Sequence, residues 1–284
     1  MKLISILDQL AATPATAAPS PRRALLAQLG RAAVAALPLD VAAALPAAAA
    51  PADTSFDAVT QLLQLERTQV ALYTQALAAT GLIPTAQTAD FQRLLAHQTQ
   101  HTALLLKALQ DAGAIAPALP RFDFSGRHSV ATNPELFPAV LTNYDAFLAL
   151  AQQLEDLGVR LYKTNAFTIG DPQLLRAALR IHAVEAEHSA HIRGLRKGRG
   201  AVVQHWPSEE DVAIVRPTAA LALTTAATGG EDTGVQYASP GVPIPFASFL
   251  LISNNTAIHD PALAEAFDEP VSSTVAQTAL DLFV

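Results

Sequence analysis

The sequence predicts an all-α fold: a four-helix bundle with one long crossover, followed by an irregular C-terminal wrap. Three observations carry this. Four segments between about residues 55 and 197 place apolar residues at alternating spacings of three and four, one stripe of a helix each. The segments repeat in pairs: "LERTQVALY" at 65–73 matches "LEDLGVRLY" at 154–162, offset by 89, and "QTQH" at 98–101 aligns with "EAEH" at 185–188, offset by 87. The two pairs are joined by roughly 25 residues, 112–136, rich in Pro, Gly and Phe. That connection is too long for a tight hairpin and suits a crossover running the length of a bundle.

The 284 residues suffice for one large core or two modest ones. A net charge of -7 and the lack of a long basic run argue against nucleic acid as a partner. The absence of Cys excludes disulfides, thiolate catalysis and Cys-based zinc or iron–sulfur sites. Three regions follow: an Ala-rich N-terminal segment, 1–50; the bundle, 51–200; and an extended C-terminal region with a terminal helix, 201–284.

Within 1–50, "AAVAALPLDVAAALPAAAA" is interrupted by Pro38, Asp40 and Pro46, so no transmembrane span is expected. Arg22-Arg23 ahead of an apolar run resemble a twin-arginine export signal. Two readings stand: a cleaved signal, with a periplasmic or exported protein, or an Ala-rich helix packing on the main domain of a cytoplasmic one.

The first helix follows "PADTSFDAV", where Asp53, Thr54 and Ser55 offer N-caps, and its stripe is Val59, Leu63, Glu66, Val70, Tyr73, Leu77. Gly81 and Pro84 are its stop signals. The second runs from about 88 to 111, with stripe Phe91, Leu94, Gln98, His101, Leu105, Ala108. The third is expected over about 135–167, after "NPELFP", with Leu148, Ala151, Glu155, Val159, Tyr162 and Ala166. The fourth opens on Asp171 as N-cap with Pro172 at the first helical position. Its stripe is Leu174, Ala178, Ile181, Glu185, His188, Ile192, Leu195, and it closes in the basic, Gly-containing "RGLRKGRG". Beyond 201, Pro207, Pro217, Pro240, Pro243 and Pro245, the turn "TGGEDTG" and the apolar "FASFLLIS" read as extended chain with short strands or turns, before an amphipathic helix over about 272–283.

Each stripe carries polar residues near its middle: Glu66, then Gln98 with His101, then Glu155, then Glu185 with His188. Burying an unpaired carboxylate is costly, and three in one core repel. Either some stay protonated or a cation sits among them. Oxygen and imidazole ligands together suit iron, manganese or zinc rather than calcium.

A Glu, then a Glu-x-x-His, then a Glu, then a second Glu-x-x-His on four successive helices resembles the di-iron or di-manganese carboxylate pattern of ferritin-like four-helix bundles. The separations, 35 residues from Glu66 to His101 and 33 from Glu155 to His188, agree with that architecture. "LEDLGVRLY", "AVEAEH" and "AFDEP" at 266–270 look more narrowly like bacterial and plant ferritin-like proteins of the desiccation-related type. The resemblance implies Glu66 and Glu155 as terminal carboxylates, Glu185 as a bridging one, and His101 and His188 as one imidazole per metal, with iron or manganese bound. Gln98 departs from the pattern, standing where the second bridging Glu belongs. An amide oxygen coordinates without bringing charge, so one ion is expected to be held better than the other, in the half with Glu155, Glu185 and His188.

Other polar residues are expected outside the site. His97 falls beside Arg93, Gln100 and Lys107 on the polar flank, His191 pairs with Glu187 on the surface, and His182 and His128 have no supporting pattern. Tyr73 and Tyr162 are expected in the core with their hydroxyls on a carboxylate. Two functions follow: metal-dependent oxidase or peroxide-detoxifying chemistry, or a metal-free structural or stress-protective protein whose terminal regions mediate assembly. Self-association is expected of either.

Overall fold

The computed structural model describes residues 52–208, 210–228, 265, 268 and 270–284, the side chains of 52–55 excepted. The Ala-rich segment with Arg22-Arg23, the caps proposed at 53–55, nearly all of "TGGEDTG", and "FASFLLIS" lie outside what is described; so do three of the five residues of "AFDEP".

Four long helices form the domain: α1 (Ala52–Ala78), α2 (Thr85–Asp111), α3 (Tyr144–Ala166) and α4 (Pro172–Gly198). Two short ones follow, α5 (Leu221–Thr228) and α6 (Ser273–Leu280), with 3-10 turns at Thr218–Ala220 and Asp281–Phe283. Among the described residues there is no strand. Where the C-terminal region was expected to be extended, 221–228 is helical instead, since two of its alanines and Leu223 bury against the bundle.

α1 and α2 form one helical hairpin and α3 and α4 the other; α1 and α3 pack along the middle, whereas α2 and α4 touch more sparsely. Gly81 takes a positive φ of 75° to turn the first hairpin, and Pro84 (φ -57°, ψ 141°) leads straight into α2. The expected stop signals therefore also start the next helix. α4 begins as predicted, with the Asp171 side chain accepting from the amides of Gln173 and Leu174.

α3 starts at Tyr144 rather than near 135, so the crossover is longer than expected. Pro138 disfavours helical geometry before it, Ala139 sits at φ 60°, and Asn143 caps the helix by accepting from the Ala146 amide. The "NPELFP" stretch is a core-lining loop: Leu136 and Phe137 are buried, as is Val140 just beyond it, and the Leu136 amide bonds the Ser125 carbonyl at 2.8 Å. Gly126, at φ 71°, permits this approach, because a Cβ there would stand 2.7 Å from that of Leu136.

The terminal helix was anticipated, and its role is to clasp this crossover. The Phe283 ring packs against Phe124 and Phe137, with centroids 5.5 and 5.0 Å away, and the Asp123 amide donates to the Phe283 carbonyl at 2.8 Å.

α3 is buried nearly all round, because α4, α1, α5 and α6 each cover part of it. Its polar residues off the stripe find partners there. Arg160 donates to the Thr225 and Ala226 carbonyls at the end of α5, and Gln153 bonds Thr224 and Arg216. Asp156 meets the fully buried Arg193 of α4 in two parallel bonds of 3.0 and 2.7 Å. Arg193 also donates to Asp211 at 2.5 Å and to the Trp206 carbonyl, tying in the loop after α4. Burial acts against the guanidinium charge, but Asp156 and Asp211 outweigh it and push the arginine above its ordinary value. Replacing Arg193 with Met strands a buried carboxylate and is expected to cost about 3–5 kcal/mol in chemical denaturation. Arg193→Met combined with Asp156→Leu should recover part of that loss.

Candidate metal centre

The four stripes meet at mid-bundle, and all six polar residues singled out from the sequence are buried together there. α1 supplies Glu66, α2 Gln98 and His101, α3 Glu155, and α4 Glu185 and His188. The arrangement follows the internal repeat. His101 Nδ1 lies 3.3 Å from Glu66 Oε2, and His188 Nδ1 lies 3.4 Å from Glu155 Oε2. Glu185 stands between the imidazoles, its Oε1 3.3 Å from His101 Nδ1 and 3.6 Å from His188 Nδ1.

The tyrosines hold carboxylates as anticipated, but across the repeat. Tyr162 of α3 donates to Glu66 Oε1 at 2.5 Å, and Tyr73 of α1 donates to Glu155 Oε1. Burial, with the carboxylates beside them, pushes both phenols well above their ordinary value, so both remain donors.

Burial and the nearby Glu185 push Glu66 and Glu155 up to about 7. Burial would raise Glu185 too, but the flanking imidazoles of His101 and His188 win and hold it well below the usual carboxylate range. Burial would likewise lower the two imidazoles, yet contact with the carboxylates raises His101 to about 9 and His188 to about 10. Without a cation, protons on the imidazoles thus balance the carboxylates.

The site has atoms to spare for a cation. Glu66 Oε2, His101 Nδ1, Glu185 Oε1, His188 Nδ1 and Gln98 Oε1 are all buried with no hydrogen-bond partner, the contacts above being close but poorly aligned. Two overlapping triads have a ligand atom from each member within 4.8 Å of the others: Glu66, His101 and Glu185, and Glu155, Glu185 and His188. Carboxylate and imidazole donors so grouped fit a divalent transition ion. Gln98 reaches across to Glu155, with its Nε2 3.4 Å from both carboxylate oxygens, so Glu155 contributes none of the partnerless atoms while Glu66 contributes one.

His97 is in neither triad, and it does not sit on an open polar flank as expected. It is half-buried, its ring lies within 12° of parallel to that of His188 with centroids 5.2 Å apart, and the two meet edge to edge, Nδ1 2.9 Å from His188 Nε2. Burial and the neighbouring His188 lower its proton affinity, so a neutral His97 accepts from His188 Nε2–H and turns His188 Nδ1 toward the carboxylates. His191 faces Asp90 of α2, with Nε2 3.8 Å from Oδ2, instead of Glu187, because the α2–α4 seam brings Asp90 nearer. His128 bonds the Val284 carbonyl and His182 is half-buried; neither joins the centre.

Two residues here were missed from the sequence. Gln69 Nε2 donates to Glu185 Oε2 at 2.9 Å, and Gly158 leaves the space that Glu185 Oε2 occupies. The repeat alignment pairs these two positions, and that mismatch between halves was the available signal.

Paired helical hairpins enclosing a carboxylate–imidazole core define a helical-bundle protein whose interior groups could hold a metal ion. Residues 54–198, just over half of the chain, match the model of the ferritin-like domain, and the chain belongs to that family. Comparison with curated proteins gives no match.

The proton balance has a consequence for stability. His101 and His188 are raised above their ordinary value of 6.5, so their stabilisation is complete below that pH and is lost as pH rises through about 9 and 10. Glu66 and Glu155 act with the same sign between 4.5 and about 7, whereas Glu185, being depressed, opposes them only as pH falls below 4.5. The metal-free protein is expected to melt at progressively lower temperature from pH 6.5 to 10. A His101→Gln/His188→Gln variant should show a flatter profile by circular dichroism.

Proposed function

We propose that the chain binds iron or manganese in the bundle core and serves in oxidant-consuming, stress-protective chemistry. The observation that carries this is the convergence of buried, partnerless ligand atoms from Glu66, His101, Glu185 and His188. A bound iron or manganese ion supplies one-electron redox chemistry toward dioxygen or peroxide. The chain's own residues do the rest. Tyr162 and Tyr73 hold the outer oxygens of Glu66 and Glu155, His97 orients His188, and the apolar residues above and below exclude water. The imidazole protons must leave for Nδ1 to coordinate, so binding releases protons and strengthens as pH rises.

A second reading, a metal-free structural or stress-protective protein on the same bundle, is favoured by one observation. The Gln98 amide already reaches the carboxylates of both Glu155 and Glu185, giving them a neutral partner from the chain itself.

Calorimetric titration of the purified, metal-stripped protein with Mn(II) or anaerobic Fe(II) separates the two. The metal reading expects stoichiometric binding, tighter at pH 8 than at pH 6, with a proton release visible as a dependence of the heat on the buffer. Failure to take up either ion at both pH values would leave the metal-free reading.

A further inference from the structure

The two halves of the centre differ at two places that the repeat makes equivalent. Position 98 corresponds to 185 and position 69 to 158. Glu185 lies against α3 where Gly158 has no side chain: a Cβ there would overlap Glu185 Oε2 and stand 3.3 Å from its Cδ. A mid-helix glycine is unfavourable in itself, and here it makes the room in which a carboxylate from the facing helix lies. In the other half that room is filled. Position 69 carries a fully buried glutamine, whose Nε2 crosses to α3, lies 3.4 Å from where a Gly158 Cβ would be, and donates to Glu185 Oε2.

Two effects follow from this one side chain. A carboxylate at position 98, posed against α1 as Glu185 is against α3, would meet the Cβ and side chain of Gln69. And Glu185 Oε2 is already committed, 2.9 Å from Gln69 Nε2 and 3.4 Å from Gln98 Nε2, which leaves Oε1 alone facing the imidazoles. We propose that Gln69, acting with Gln98, limits the centre to a single ion, by holding Glu185 to one-oxygen coordination and by filling the space that a second bridging carboxylate requires. This rests on the metal reading above, and it makes residues 69 and 98 a coupled pair: altering Gln98 alone does not open a second position.

The test is Mn(II) titration with metal analysis and electron paramagnetic resonance on wild type, Gln98→Glu, and Gln69→Gly/Gln98→Glu. Gln69→Ala/Gln98→Glu is included in case a second helical glycine impairs folding, and folding of each is checked by thermal melting. Wild type and Gln98→Glu are expected to hold one ion with an isolated Mn(II) spectrum, and the double variants two ions with a spin-coupled spectrum. Gly158→Ala, which favours the helix but displaces Glu185, is expected to weaken the single ion roughly tenfold or more. Two ions in wild type or in Gln98→Glu alone would overturn the inference while leaving the metal reading intact. So would a folded double variant that takes only one, or an unchanged affinity in Gly158→Ala. No ion in any of the proteins would overturn both.

Discussion

The carboxylate of Glu185, buried between two imidazoles, is the constraint around which the domain is organised. A charge so far from water is tolerable only where opposite charge is held against it. His101 and His188 supply that charge from α2 and α4, and Gly158 supplies the space. The four helices are therefore fixed in rotation about their axes, since turning any of them would carry its polar residue off the common point. The apolar layers, Phe91 and Phe147 among them, add most of the burial. The polar centre selects the register in which that burial occurs.

A second charged network stands on an adjoining face of α3 and does a different task. Glu155 and Asp156 are neighbours in sequence, yet one turns into the centre and the other to Arg193. The Arg193 network satisfies its partners in full and binds α3, α4 and the following loop together. The centre leaves its inward atoms unsatisfied. A closed network is a fastener, whereas an open one leaves atoms free for a ligand, and both kinds project from one helix.

Much of this was legible in the sequence. The cluster of six polar residues was readable because a buried polar residue interrupts an apolar stripe at a fixed spacing. The caps Asp171 and Pro172 marked α4 for the same local reason. What was not legible depends on chain distant in sequence. The start of α3 was misplaced because the apolar residues of "NPELFP" bury in the core from a loop. Gln152, Asp156 and Arg160 lie off the apolar stripe and are buried only because α4 and α5 cover them. His97 looked peripheral from helical periodicity alone. Its contact with His188 exists only because α2 and α4 lie side by side, which no spacing within α2 reveals.

The crossed tyrosines carry one more implication. Tyr73 serves the glutamate of the second hairpin and Tyr162 that of the first. Neither hairpin alone has both a carboxylate and the phenol that steadies it, so the centre comes into being only when the hairpins dock. This reciprocal exchange is the symmetry of a two-fold dimer, written into one polypeptide. Within one polypeptide the halves can differ, and the contrast between Glu185 with Gly158 in one and Gln98 with Gln69 in the other is one that two identical hairpins could not hold.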